Sequence, residues 1–544
     1  MIYSVLSLDV LRVWYVSPRS FPFHEINMKV IERRLFRILR FRNYSTQTTA
    51  AFSNESPGVK PFEKVPGATG KFALPVVGNF LLGKSLGCFP DYDLRKYLTG
   101  LQKTYGDIVK IKSTRFKWTV LLFHPDFAKE ALEIKLKYPY RPVVDIVAVY
   151  SEKKNLGQNL VTLNGEDWAK LRKPTQELIL RPVAVATYVG TLSSVADDFV
   201  DKYKNGGTID NLREALSNYA SESVGMLCFN RRLGCLDKEP IINIQLLDDV
   251  LEVMEQDLKS ISGVKLYRFF PTPSYRKFEK GADHVCSICH AEIKVALEKL
   301  ENAKNEGKLE EYLQQPNLLN SLLSHPEMTQ KMVDRTLMDL FFAGVDSTSN
   351  ALTFLWFELA KNPDKQEKLH QEIMTVCGKN DVTKEALAKM SYLKACVREA
   401  MRIYVPTSPG MYRCLDHDVV IGGYHIPAKT EIIPCLQNMC EDPRFFKSPE
   451  RFLPERFVRN DKSLSDEYKN TNPFATLPFG FGPRSCVGQR FAETEMYVIT
   501  AKFFQHFEAR LPPGTNHNME YRYRTFATPK HAVSLVIKPR TETK

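Results

Sequence analysis

Phe479-Gly480-Phe481-Gly482-Pro483-Arg484-Ser485-Cys486-Val487-Gly488 is the stretch on which the reading of this 544-residue chain turns. Glycines at 480 and 482 allow a tight backbone turn beside a flat ligand. Cys486 stands where a helical pattern, about 487–507, begins, so backbone N–H groups and the helix dipole favour its thiolate. Arg484 can neutralise a carboxylate on that ligand. A lone cysteine at a Gly-rich helix start is more often a packing residue. Here the whole stretch agrees on a thiolate presented from a tight loop.

Upstream of the loop the chain reads as mostly helical. Strand candidates lie at 108–111 and 119–123, and from about 125 to 405 apolar residues recur at three- and four-residue spacing. Residues 419–434 read as hairpin material, because β-branched residues flank Gly422-Gly423. No proline interrupts 327–361, and Asn362-Pro363 ends that run. Such a helix would span about 50 Å. Asp334, Asp339 and Asp346 punctuate it, so it reads as a central core helix and not as a lipid-spanning one.

With 43% hydrophobic residues the chain can bury a large core, and no linker or repeat divides the body. One large, mainly α domain with small β-sheets is expected. The formal net charge of +12 suits anionic lipid, nucleic acid or an acidic protein. No zinc-finger or RNA-recognition pattern supports nucleic acid. Eleven irregularly spaced cysteines argue against a disulfide framework.

The cysteine stretch resembles the haem-binding loop of cytochromes P450, Phe-x-x-Gly-x-Arg-x-Cys-x-Gly, with every fixed position matched. The resemblance implies the cytochrome P450 fold, with a long central helix and a single large haem-containing domain. It also implies haem b (iron protoporphyrin IX) held by Cys486, and dioxygen as co-substrate. Other stretches carry the same likeness. Glu399-Ala400-Met401-Arg402 and Phe452-Leu453-Pro454-Glu455-Arg456-Phe457 resemble the two parts of a structural Glu399–Arg402–Arg456 triad behind the haem. Pro449-Glu450-Arg451-Phe452 is a near-duplicate whose phase fits less well. Trp168-Ala169-Lys170-Leu171-Arg172 resembles the Trp-x-x-x-Arg helix that meets the haem propionates, and Arg413 and Arg484 are further candidates for that task. Ala343-Gly344-Val345-Asp346-Ser347-Thr348 resembles the oxygen-activating motif. The small pair would leave room for dioxygen and substrate, while Asp346, Ser347 and Thr348 deliver protons. Ser347 departs from the commoner threonine; it keeps the hydroxyl and loses the methyl that stiffens χ1.

Two features point to the mitochondrial branch. Residues 28–44, MKVIERRLFRILRFRNY, carry six basic residues against Glu32, and Ser45 to Thr49 is Ser/Thr-rich. That is the composition of a mitochondrial transit peptide, expected over 1–44, with 1–27 an upstream extension if Met28 is the start. A surface-binding amphipathic helix is the alternative. A linker over 45–60 and the monooxygenase domain over 61–544 follow. Lys394 and Arg398, four apart on one helix face, resemble the ferredoxin-docking pair of mitochondrial members. An acidic [2Fe–2S] ferredoxin, fed by NADPH through ferredoxin reductase, would dock there by charge. Gln489 stands where two arginines often occur, leaving Arg490. Cys286-Ser287-Ile288-Cys289-His290 matches a c-type haem attachment motif. It sits in a charged amphipathic pattern over 284–306 and is read as a decoy.

The expected function is mono-oxygenation of a lipophilic small molecule, steroid, sterol or xenobiotic, at the matrix side of the mitochondrial inner membrane, with peripheral membrane association. A haem-thiolate isomerase or dehydratase, a microsomal-type monooxygenase and a haem sensor are the competing readings. Recognition regions implied by the resemblance fall near 140–160, 339–348, 407–412 and 525–528. Phe341, Phe342 and Phe526 are expected to line an apolar pocket.

Overall fold

The structure, a computed structural model, describes residues 58–73, 77–88, 93–112, 117–142, 144–157, 159–180, 182–237, 242–259, 265–310, 318–408, 410–459, 463–469 and 472–540. The transit peptide and most of the linker expected at the amino terminus lie outside the described residues. Seven helices matter for the site: α1 (Gly165–Ile179), α2 (Leu212–Phe229), α3 (Ile244–Lys259), α4 (Pro273–Asn305), α5 (Gln330–Lys361), α6 (Ser391–Ile403) and α7 (Gln489–His506). No helix among the described residues is long and apolar enough to cross a membrane.

Helix α5 is the central element. Thr329 caps it, its hydroxyl accepting from the Met332 N–H, and Asn362 closes it before Pro363 opens the next helix. Its 32 residues run about 48 Å. Trp356, fully buried, stacks on Phe503 of α7 with ring centroids 4.0 Å apart and donates its indole N–H to Thr500 Oγ1 at 3.2 Å. A buried indole with its polar edge satisfied anchors α5 on α7, the helix that follows the cysteine loop. On another side α5 lies along α2. Gly344 makes the close approach possible, since a Cβ there would come within 2.9 Å of Val224 Cγ2.

The strands form four small sheets. β1 (Ile108–Lys112) and β2 (Trp118–Leu122) pair antiparallel, as expected from the sequence. β7 (Glu431–Pro434) joins β2 in parallel, with Val120 opposite Ile432, and β4 (Arg413–Cys414) closes that sheet. The expected 419–434 hairpin is therefore shorter than its pattern. Only β5 (Val419–Ile421) and β6 (Tyr424–Ile426) turn back on each other. Gly422 and Gly423, at φ +57° and +76°, make that turn. Four carboxy-terminal strands were not anticipated: β8 (Phe507–Arg510), β9 (Tyr521–Arg524), β10 (Phe526–Pro529) and β11 (Leu535–Pro539). β11 lies between β8 and β3 (Gly207–Ile209), and β9 pairs with β10. Their turn is made by Thr525 at φ +66°, a residue that carries no turn signal in sequence.

All eleven cysteines are free thiols. The decoy motif sits inside α4, where Cys289 is fully buried and Cys286 accepts from the Tyr150 hydroxyl at 3.5 Å.

Candidate functional site

The cysteine loop folds as its glycines require. Gly480 and Gly482 take φ +79° and +71°, and the Cys486 N–H donates to Phe479 O at 2.8 Å. A side chain at 480 would press on Met411 Sδ at 3.1 Å, the sulfur that accepts from the Phe481 N–H. Cys486 precedes α7 by two residues, with Gly488 as the N-cap. Cys486 is accessible to solvent, yet its thiol lies deep among protein atoms, and both hold for a side chain lining an internal recess. Burial pushes the thiol up; the Gly488 N–H and the guanidinium groups of Arg172 and Arg141 pull it down.

Four arginines surround this sulfur. Arg484 donates to Pro139 O, Leu163 O and Asn164 Oδ1, at 2.8, 2.8 and 3.0 Å, while its Nη1 is buried without a partner. Its guanidinium lies 3.9 Å from the Trp168 ring centre, so Trp168 on α1 works as a cation–π platform. Arg172, on the same face of α1, donates to Ser485 O at 2.9 Å and Gln176 Oε1 at 3.1 Å. Arg413 on β4 reaches Phe481 O at 2.7 Å, and Arg141 reaches Arg484 O at 3.3 Å. Every one of these hydrogen bonds goes to a neutral oxygen. Burial first, and then the neighbouring guanidiniums, lower the pKa to about 10 for Arg172 and Arg413 and about 9 for Arg484, with Cys486 pulling Arg172 the other way. Like charges without carboxylate partners, three of them buried, are costly unless an anionic group joins them. Among the described residues no three His, Cys, Asp or Glu side chains converge on a metal. A metal at Cys486 would thus take its other ligands from the bound group. The cradle of one sulfur and four cations fits a flat, iron-bearing, dicarboxylate macrocycle. Arg141 was missed in the sequence, because it sits in an irregular loop whose approach to Cys486 is set by tertiary contacts alone.

On α5 the expected relay divides by helix face. Ser347 is half-buried, as is Ala343 one turn earlier, and its hydroxyl donates to Ala343 O at 2.6 Å. Asp346, 100° round the helix, points to α2. Its carboxylate accepts from Arg213 Nη2 at 2.7 Å and from Asn350 Nδ2 at 3.0 Å. Arg213 also pairs with Asp248 of α3, which meets Arg524 of β9 at 2.7 Å. Burial raises the Asp346 pKa against the pull of Arg213. Thr348 turns instead toward Glu495 of α7, a fully buried carboxyl that burial pushes well above its usual range. The structure therefore does not bring Thr348 to the Ser347 face. Of the small pair expected to make room for ligands, Gly344 faces Val224 of α2, and Phe341 packs on Phe229 with centroids 5.5 Å apart. Both are helix-packing residues; Phe342 and Phe526 are half-buried and pack against the same core.

Behind the loop, Glu399, Arg402 and Arg456 meet with side chains 0% exposed. Glu399 accepts twice from Arg402, both at 2.8 Å, once from Arg456 Nε at 3.2 Å and once from the Leu453 N–H at 3.0 Å. The remaining guanidinium donors go to Cys440 O, Pro449 O, Ser448 O and Tyr468 O. Arg451 of the near-duplicate motif offers Arg402 only its backbone carbonyl, at 3.3 Å. On the outer side of α6, Arg398 is exposed with its guanidinium 4.4 Å from the Phe457 ring centre. Lys394 is half-buried and donates to Ala388 O at 3.0 Å. Arg490, exposed at the start of α7, shares the neighbourhood of Glu493 with Arg398.

Known proteins carry the same pattern. A family profile described as Cytochrome P450 matches residues 69–537. The chain is 31% identical to "Cytochrome P450 10" of Lymnaea stagnalis, over 91% of this chain and 89% of that protein. It is 30% identical to "Probable cytochrome P450 12a5, mitochondrial" of Drosophila melanogaster, over 86% and 88%. With "Sterol 26-hydroxylase, mitochondrial" of Oryctolagus cuniculus it shares 28% identity over 70% of this chain and 72% of that one. Cysteine loop, arginine cradle and matches over nearly the whole body lead to one conclusion: the chain belongs to the cytochrome P450 family and is a haem-thiolate monooxygenase that uses dioxygen.

Proposed function

We propose that this monooxygenase is of the mitochondrial, ferredoxin-dependent type and oxidises a lipophilic small molecule, with Cys486 as the iron ligand. The acid-free cluster of Arg141, Arg172, Arg413 and Arg484 around that sulfur carries the assignment of the site. These residues hold the haem propionates, with Trp168 bracing Arg484. The bound haem supplies the iron at which dioxygen is reduced and split. The protein's own part is positional and protonic. Ser347 presents a hydroxyl on the half-buried face of α5, where it can pass a proton inward. Asp346, held by Arg213 and Asn350, is the acid beside it, and Thr348 acts from the opposite face through Glu495. Glu399, Arg402 and Arg456 form a satisfied buried network that shapes the segment leading to the cysteine loop.

The type rests on three supports. The mitochondrial names of several relatives agree with the cationic, acid-poor segment up to residue 44, with 45–60 as linker and 61–544 as the catalytic domain. Lys394, Arg398 and Arg490 supply a basic face for an acidic [2Fe–2S] ferredoxin. Leu266, Phe269 and Phe270, 49%, 65% and 53% exposed between α3 and α4, suit peripheral contact with the inner membrane on its matrix side. A steroid, sterol or xenobiotic is the substrate class that a relative named as a sterol hydroxylase favours.

Purified protein should turn over such a substrate with NADPH, ferredoxin reductase and ferredoxin, and not with a microsomal reductase. The reverse preference would overturn the mitochondrial assignment. Cys486→His should move the Soret band of the reduced CO complex to an imidazole-type position and abolish oxygenation. An unchanged band would remove the iron from this sulfur.

A further inference from the structure

Helix α5 reaches the haem cradle by a route the relay does not use. Asp339, two turns before Asp346, is 11% exposed and lies against the loop between residues 154 and 164. Its Oδ2 accepts the Leu160 N–H at 2.8 Å, and its Oδ1 meets Arg335 Nε at 3.0 Å. Leu160 packs in an apolar cluster with Trp168, Leu171 and, partly buried, Val487, the neighbour of Cys486. From Leu160 the loop runs straight to the cradle. Asn159 ties Thr162 through both its N–H and its hydroxyl, at 2.7 and 2.6 Å. Asn164 then accepts from the Arg141 N–H at 2.8 Å and from Arg484 Nη2 at 3.0 Å, and Leu163 O accepts from the same Arg484 nitrogen at 2.8 Å.

We propose that Asp339 is a positioning residue that latches residues 159–164 onto α5 and so holds Arg141 and Arg484 in register around the Cys486 loop. The inference rests on reading those arginines as the propionate seat. Ionised or protonated, the carboxyl keeps an oxygen that accepts the Leu160 N–H. Burial raises this carboxyl to about 6, while Arg335 and the Leu160 N–H favour its charged form. The titratable groups facing it are Arg335 on α5 and the thiols Cys286 and Cys289 on α4, both of which burial keeps protonated. The sign follows: the closed loop holds the carboxyl's proton more tightly than an open, hydrated one would at the ordinary carboxylate value, so the latch is firmest at low pH and loosens as the pH rises through about 6.

Amide hydrogen exchange on the haem-loaded full chain reads the latch directly. Corrected for intrinsic rates, protection of residues 159–164 should fall roughly tenfold between about pH 5 and about pH 8. Asp339→Asn should flatten that step. The double variant Arg335→Met/Asp339→Asn, which leaves no unpaired buried cation, should flatten it too while α7 keeps its protection. Asp339→Leu, which removes the acceptor, should open the loop at both pH values and hold a smaller fraction of the thiolate-type reduced CO complex than wild type. A step that persists in Asp339→Asn, or loosening of the loop with an unchanged CO spectrum, would overturn the proposal. A wild-type protein with no thiolate-type band would instead refute the Cys486 site, and the exchange step would still decide the latch.

Discussion

Under the proposed relay, coupling of oxygen use to product depends on Ser347. Its hydroxyl donates to Ala343 O at 2.6 Å, and without a β-methyl its χ1 is freer than that of threonine. A hydroxyl that leaves its place lets protons arrive by other routes, and peroxide escapes in place of product. Ser347→Ala should lower product formation by about 10²-fold with peroxide rising, and Ser347→Thr should lower leakage below wild type. Peroxide assayed against product in the reconstituted system checks both; unchanged leakage in Ser347→Thr would sink the argument. Arg141, outside every motif, belongs to the same scale. Arg141→Ala removes one of four cations from the cradle and should weaken haem retention without touching the iron ligand, as measured by haem transfer to an acceptor protein.

At the scale of elements, α6 carries two jobs on two faces. Its inner face places Glu399 and Arg402 in full burial with Arg456, where a planar, forked donor fills every acceptor position. Arg402→Lys loses the bidentate geometry and leaves acceptors unpaired, so about 3–5 kcal/mol of stability should go with it. Thermal unfolding followed at the Soret band measures that loss. The outer face carries Lys394 and Arg398. Arg398→Glu should raise the KM for ferredoxin about tenfold and weaken its salt dependence, leaving kcat at saturating ferredoxin unchanged. A salt-independent KM in the wild type would remove this face from docking.

For the molecule as a whole, α5 and α7 enclose the site. The Trp356–Phe503 stack joins them, while α2 and α3 reach α5 through the Asp346–Arg213–Asp248–Arg524 chain of charges. The exposed Leu266, Phe269 and Phe270 stand apart from that core. Phe269→Ser/Phe270→Ser should reduce binding to vesicles containing anionic lipid by about tenfold, with soluble-substrate turnover retained. Equal vesicle binding by the variant would assign membrane contact to another surface.

Local chemistry was legible before any fold was known. The ten residues through Cys486 specify their own turn by glycine placement, Glu399 and Arg402 meet by helical spacing, and Gly422-Gly423 announces its hairpin. The length of α5 also followed from an unbroken periodic run. Each of these depends on neighbours within a few residues. Tertiary structure alone decided the rest. β2 and β7 pair across some three hundred residues of chain, and the β9–β10 turn hangs on Thr525 in a left-handed conformation. The same holds for Arg141 beside Cys486, Asp346 turned to Arg213, and Thr348 turned away from Ser347 toward Glu495. A helix of known sequence still leaves open which partner covers each face, and side-chain direction at a site is set by that packing.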